Sequence, residues 1–254
     1  MTEHLSVTTE DHVTVLTFDR PPANFVTPPL LEGIVDAAYA AAEAGARAIV
    51  ITGGGKHFCA GVDFNSGGLG EDKASGARVL YAHAERLFSV PIPIVAAVNG
   101  SAVGAGLGLA CAADFRVASP TSRLLANFST LGFHQGFALS VTLPHIVGEQ
   151  RAAELLYLGR PVRGEEALRL GLVDRLVEEG EELAGAMALA NELAGQAPLA
   201  VRSIRQTLRK GLVDRIPDAL AREVSEQAWL WQTEDAAIGL AAVTARETPV
   251  FVGR

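Results

Sequence analysis

The chain has 254 residues, 49% of them apolar, and a formal charge of −8 from 29 acidic and 21 basic side chains. That apolar share suits one large core, which excludes a disordered chain, and two cysteines are too few for a disulfide-stapled one. An acidic balance leaves no broad cationic face for a polyphosphate backbone, so nucleic acid is not an expected partner.

Cys59 and Cys111 stand far from any metal-ligand spacing such as C-x-x-C, so no metal is expected, and both read as small buried hydrophobes in a reducing compartment. Met1 to Glu10 lacks the apolar run of a secretory signal, and the expected location is cytoplasmic. Leu5 to Thr8 and His12 to Phe18, separated by Glu10-Asp11, read as an opening hairpin. Thr27-Pro28-Pro29 begins a helix, with the Thr27 oxygen as N-cap and proline in the first turn, and Gly45 ends it after Ala44. Arg47 to Thr52 is an apolar strand, followed by Gly53-Gly54-Gly55, a loop from Lys56 to Phe64 and a polar segment from Asn65 to Gly76.

The spacing of Val79, Ala82, Leu87 and Phe88 predicts a helix over Ala77 to Ser89, closed by Pro91. Ile92 to Val98 is a fully apolar strand, Asn99 to Val103 a turn, and Gly104 to Ala113 a helix of small residues. Leu87 to Ala113 carries no charge and is long enough for a membrane span. Pro91, Pro93, Asn99 and the glycines at 100, 104, 106 and 108 argue instead for a buried strand, turn and helix, with no membrane partner. Phe115 to Ala118 and Leu124 to Phe128 are further strands. Strand, turn and helix recur, which predicts an α/β core with helices packed on covered sheets. From Glu149 the spacing is helical, broken at Gly159 to Gly164, at Gly171, at Pro198 and at Pro217. Residues 1–195 read as the core and 196–254 as a helical extension.

Two segments place a glycine-rich turn after a buried strand, where backbone N–H groups can stay free. In Phe58-Cys59-Ala60-Gly61-Val62-Asp63 the glycine permits a tight turn, and Asp63 can cap the donors after it. In Asn99-Gly100-Ser101-Ala102-Val103-Gly104-Ala105-Gly106-Leu107-Gly108 the first helical N–H groups point outward, backed by the helix dipole. Two converging donors can form an oxyanion hole for an enolate or a tetrahedral oxyanion, and close packing of glycines is the ordinary alternative.

Arg20-Pro21-Pro22-Ala23-Asn24, Ile49-Val50-Ile51-Thr52-Gly53, Phe58 to Phe64, Pro93 to Gly100 with its glycine run, and Ala167 to Val173 together resemble the crotonase family, also called the enoyl-CoA hydratase and isomerase superfamily. The resemblance covers nearly the whole chain. It implies a spiral of ββα repeats, homotrimers that often pair into homohexamers, and an acyl-CoA thioester as ligand; the helical extension, with apolar residues such as Leu199, Ile204, Leu208, Trp229, Trp231 and Leu240, reads as the trimerisation region. Coenzyme A would enter as part of the substrate, with no other cofactor. By the same carry-over, Val62 and Ala105 supply the oxyanion-hole N–H groups, and Ala23 and Ala60 lie beside the adenine and pantetheine.

The chain departs from the family pattern where the hydratases carry two glutamates: the matching positions are Gly108 and Phe128. Gly136 stands where some members use an aspartate. None of the three can move a proton, so the two-glutamate hydration mechanism is not expected. His134 is the candidate acid or base; its alternative role is to hold a turn through a backbone carbonyl. Tyr81, His83 and Glu85 lie on the helix before the Ile92 strand, where Tyr81 and Glu85 share a face and a side chain can reach the acyl pocket. Phe64, Tyr81, Phe128 and Phe137, with Phe133, are the expected acyl-side contacts. Arg20, Lys56 and Arg246 suit the CoA phosphates, while His57 reads as a surface-loop histidine.

The favoured function is an acyl-CoA enzyme that stabilises a thioester enolate with a non-standard acid or base. The alternative is a family member that binds acyl-CoA without catalysis. A nicotinamide-dependent dehydrogenase, suggested by Gly104-x-Gly106, lacks the third glycine, where Leu109 stands. It also lacks the acidic residue about 20 positions on, where Arg123, Leu124 and Leu125 occur.

Overall fold

The computed structural model describes residues 3–63, 68–70 and 72–254. The opening hairpin forms as expected, β1 (Leu5–Glu10) antiparallel to β2 (Val13–Phe18). Helix α1 (Pro28–Glu43) starts at the Thr27 cap, whose side chain accepts the Leu30 N–H at 3.4 Å, and proline occupies the first turn. Strand β3 (Ala48–Gly53) follows. Helix α2 (Lys73–Phe88) begins earlier than Ala77, because Asp72 accepts the N–H groups of Ala74 and Ser75 and so extends the helix by one turn. The rest of the expected polar segment, Asn65 to Gly67 and Glu71, lies outside the described residues.

Strand β4 (Ile94–Val98) leads to β5 (Ser101–Val103), where the sequence reading placed a turn, and then to α3 (Ala105–Ala112). Next come β6 (Phe115–Ala118) and β7 (Arg123–Leu125). The strand expected to reach Phe128 stops at Leu125, because Ser129–Leu131 coils into a 3-10 turn. The remaining elements are α4 (Leu139–Val147), α5 (Glu149–Leu158), β8 (Pro161–Arg163), α6 (Gly164–Arg169), β9 (Arg175–Leu176), α7 (Glu182–Ala194), α8 (Pro198–Val213), α9 (Ile216–Leu230) and α10 (Glu234–Ala245).

Two sheets result, one of six strands in the order β1-β2-β3-β4-β6-β9 and one of three in the order β5-β7-β8. From β2 onward the larger sheet is parallel, so both its faces must be covered. The strand alternation splits its side chains accordingly. Val50, Val95 and Ala97 pack on Ala186, Leu189 and Ala190 of α7. Ile49, Ile51, Ala96 and Val98 face the main core with α1, α2 and α3. The parallel strands β2, β3, β4 and β6 end on one edge of this sheet, and from β4 the chain passes directly into β5 of the smaller sheet. That handover places the loops that build the site.

Both cysteines are fully buried, and burial pushes each thiol up to about 11. Helix α8 is bolted to the core through Asp114, whose carboxylate accepts from Arg205 Nε at 2.9 Å, Arg209 Nη1 at 3.0 Å and the Ile94 N–H at 2.8 Å. Among the described residues no helix is long and apolar enough to cross a membrane.

Candidate active site

The two glycine-rich turns meet. The Cys59 N–H donates to the Ser101 carbonyl at 3.0 Å and the Val103 N–H donates to the Cys59 carbonyl at 2.9 Å, a parallel bridge between Cys59 and Ala102. Running side by side, the two segments leave the bridge together, one through Gly61 into Val62 and the other through Gly104 into Ala105. Gly61 has φ +96°, and a Cβ there would stand 2.9 Å from the Val103 carbonyl and 3.8 Å from the Ala105 nitrogen. The close approach and the left-handed backbone both require glycine. Ala105 is the first residue of α3, so its N–H has no partner within the helix. Among the described residues neither this amide nor that of Val62 has an acceptor.

Both residues line a cavity of about 170 Å³ enclosed by α2, α9, α10 and the 3-10 turn. Its wall is mainly apolar, with Leu69, Leu80, Phe128, Leu131, Phe133 and Leu240. The polar side chains in it are Asp63, Tyr81, Asn127, Gln227 and Thr244, with Trp231 presenting an indole. Phe133 packs edge-on against Phe128 at 6.0 Å and against Trp231 at 5.9 Å, which fixes this side of the wall.

Tyr81 is 7% exposed. Its hydroxyl donates to Gln227 Oε1 at 3.1 Å and accepts the Phe137 N–H, while Gln227 Nε2 donates to the carbonyls of His134 at 3.0 Å and Gln135 at 3.3 Å. Burial, and after it the nearby Glu223 charge, hold the phenol well above its usual range, so it stays protonated. The hydroxyl occupies the space a side chain at Gly136 would need. Glu223 is fully buried beneath this turn. Its carboxylate accepts the Ala138 N–H at 2.8 Å, the Ser140 N–H at 2.9 Å and the Ser140 hydroxyl at 2.6 Å. Burial pushes it up to about 7, although these donors pull the other way.

The expected site residues divide accordingly. Val62, Ala105, Ala60, Tyr81 and Phe128 come together in one wall, and Ala23 joins them through its carbonyl, which accepts the Ala60 N–H at 3.0 Å. Asn24, buried at φ +54°, locks that turn by donating to the carbonyls of Gly54 at 2.7 Å and His57 at 2.6 Å. Phe64 lies outside the described residues. Phe137 is not in the cavity wall; it is fully buried, with its ring edge toward Tyr81 at 6.4 Å and its Cβ against Gly108.

His134 is also not in the wall. Its Nδ1 lies 2.8 Å from the Gln135 carbonyl, the turn-holding arrangement weighed against catalysis. Glu85 lies on an outer groove, His83 is half-buried, and Arg246 and Lys56 are exposed. Gln227, Trp231 and Glu223 were not foreseen. They sit on α9 and its end, where the local pattern marks only a helix and says nothing of which side chains enter the cavity. Among the described residues no cluster of three or more His, Cys, Asp or Glu side chains could hold a metal ion. A larger groove of about 420 Å³ lies elsewhere, between α8 and the sheet, lined by Val201, Ile204, Leu208 and the Asp114 ion pairs. It contains neither glycine-rich turn.

Residues 8–254 match the family described as enoyl-CoA hydratase/isomerase. A Bacillus subtilis (strain 168) protein named "Probable enoyl-CoA hydratase" is 35% identical over 254 residues, covering 98% of each chain. The crystal structure of an enoyl-CoA hydratase from Mycobacterium avium subsp. paratuberculosis K-10 superposes with a TM-score of 0.86 at 26% identity over 99% of this chain and 100% of that one. An enoyl-CoA hydratase/isomerase structure from Pseudoalteromonas atlantica T6c gives 0.87 at 28% identity, covering 98% and 100%.

Proposed function

The chain belongs to the enoyl-CoA hydratase/isomerase family, and from that premise we propose that it is an acyl-CoA enzyme whose Val62 and Ala105 N–H groups hold the thioester oxygen as it becomes an enolate. The observation that carries this reading is the convergence, on the wall of a mainly apolar cavity, of two amides that have no acceptor among the described residues. Donors fixed in advance at the place where negative charge develops are worth about 10²- to 10³-fold each in rate, and the positive end of α3 adds to them. The acyl-CoA itself supplies the coenzyme, with the turn at Ala23 and the loop at Ala60 beside it and Arg20, Lys56 and Arg246 within the chemistry of its phosphates.

Proton transfer follows a different plan from two carboxylates. Gly108, Phe128 and Gly136 offer no proton-moving group, and His134 stands outside the wall. The role passes to the Tyr81 hydroxyl, a phenol whose single proton leaves its bond to Gln227 Oε1 for the enolate carbon; the phenolate that remains is held by the Phe137 N–H and regains a proton from water as product leaves. Loss of carbon dioxide from an α-carboxylate makes an enolate with no base required, whereas removal of an α-proton requires one. A panel of enoyl-, 3-oxoacyl- and malonyl-type CoA thioesters therefore reports the reaction.

The test exploits the position of Ala105. Proline is tolerated at the first residue of a helix because the N–H it removes has no helical partner. Ala105→Pro deletes one oxyanion donor while keeping α3, and turnover of the thioester that the panel identifies is expected to drop about 100-fold or more. Wild-type turnover of none of these thioesters, together with micromolar acyl-CoA binding, would instead support the non-catalytic binder. For assembly we propose a homotrimer or a homohexamer. Leu199 and Leu208 of α8 are 78% and 74% exposed, and a neighbouring copy would cover them. Sedimentation showing only monomer at micromolar concentration would reject it.

A further inference from the structure

We infer that Tyr81 sets the length of acyl chain this site accepts, by closing a seam between α2 and α9 that otherwise joins the thioester cavity to a groove on the outer face. The inference rests on the acyl-CoA reading above and deepens it by naming the substrate class: short-chain acyl thioesters.

The cavity, at about 170 Å³, is smaller than the roughly 300–1,000 Å³ of sites that take drug-sized ligands. On the other side of the α2/α9 seam runs a groove of about 450 Å³, floored by Leu220, Val224 and Ala228 and rimmed by Arg78 and Glu85. Among the described residues Tyr81 is the one side chain that lines both spaces. Its neighbours sort to either side. Ala77 and Gln227 face the cavity, while Ala82, Val224 and Ala228 face the groove. The phenol therefore crosses the seam, and the Tyr81–Gln227 hydrogen bond at 3.1 Å bolts it shut.

This partition is rigid for a physical reason. Swinging the ring aside would strand the buried Gln227 acceptor and the Phe137 N–H, each a costly group to leave unpaired. The ring also packs edge-on against Phe137, which is fully buried and has no room to yield. An acyl chain extending from the Val62 and Ala105 amides thus ends against the phenol. Beyond it the floor of Leu220, Val224 and Ala228 is small or apolar, so once the ring is gone each methylene that passes over it is buried at a gain of about four-fold in affinity.

Calorimetric titration with butyryl-, octanoyl- and lauroyl-CoA tests this on the intact protein. Wild type is expected to bind butyryl-CoA at least 10-fold more tightly than the longer thioesters, and Tyr81→Phe, which keeps the ring, to preserve that order. Tyr81→Ala, or Tyr81→Val should the alanine variant not fold, is expected to bind octanoyl-CoA at least as tightly as butyryl-CoA. Adding Ala228→Trp to fill the groove is expected to bring the short-chain order back. Wild type binding octanoyl-CoA as well as butyryl-CoA overturns the inference, and so does a folded Tyr81→Ala or Tyr81→Val protein with the wild-type order. Failure of every acyl-CoA to bind wild type refutes the proposed function itself.

Discussion

The Cβ of Phe137 lies 2.5 Å from the point where a side chain on Gly108 would begin, with the ring carbons Cγ and Cδ1 at 2.8 and 2.9 Å. A carboxylate at position 108 and the present Phe137 are mutually exclusive. The space beside Gly108 is filled with apolar core.

That exclusion can be measured. Gly108→Ala should destabilise the protein by about 1–3 kcal/mol, the usual cost of overpacking. Phe137 sits at φ +59°, which glycine adopts freely, so Phe137→Gly empties the space without backbone strain. In that background Gly108→Ala should be neutral or stabilising, since alanine is favoured over glycine inside a helix by about 1 kcal/mol. Urea unfolding of the four proteins checks the cycle, and equal cost of Gly108→Ala in both backgrounds would refute the packing account.

Hydration of crotonyl-CoA should proceed far below the common enzyme range of about 1–10³ per second. Acid and base catalysis each contribute roughly 10²–10⁴-fold, and Gly108 and Phe128 supply neither. The loss of absorbance at the enoyl chromophore reads this directly; turnover inside the ordinary range would mean that other side chains replace the pair.

Tyr81 and His134 make opposite predictions. Tyr81→Phe removes the proton and keeps the ring, so turnover of the thioester that the panel identifies should drop by two or more powers of ten while butyryl-CoA affinity changes only a few-fold. His134→Ala should instead lower the melting temperature, because the Nδ1 contact with Gln135 is lost, and leave turnover within a few-fold. The reverse result would return the catalytic role to the imidazole.

Glu223 predicts a pH dependence of stability. Its folded value of about 7 lies above the ordinary 4.5, so between those limits the native protein holds a proton that the unfolded chain has released. The native preference is fully present below about pH 4.5 and is lost as the pH rises through about 7. On the order of 3 kcal/mol should disappear across this window. Denaturant midpoints at pH 4.5 to 8 should show the decline in wild type and a flatter profile in Glu223→Gln. Parallel profiles would rule Glu223 out as its source.

What was legible in the sequence is the part written in short-range pattern. The hairpin, the capped helix after Thr27, the apolar Ile94–Val98 strand and the glycine turns at 61 and 104 all carry local signals, and each forms. The strands β5, β8 and β9 have three, three and two residues, too few for a period to emerge. Phe137 and Ala138 adopt φ +59° and +60°, a backbone that their side chains do not advertise, so the turn holding the ring over Gly108 could not be anticipated. Gln227 and Glu223 matter through partners 146 and 85 residues away for Tyr81 and Ala138. That is tertiary information.

The bridge between Cys59 and Ala102 assigns stability and change to different parts of the chain. The distance between the Val62 and Ala105 amides is set by peptide-to-peptide bonds and two glycine conformations, so it survives almost any exchange of the side chains around it. On the proposed reading, the side chains at 81, 108, 128 and 136 decide what happens to the electrons once they reach the oxygen. Under that proposal, drift at these four places would rewrite the reaction and leave the electron sink intact. A single methyl group added at Gly61, by contrast, would reach every chemistry the scaffold can host.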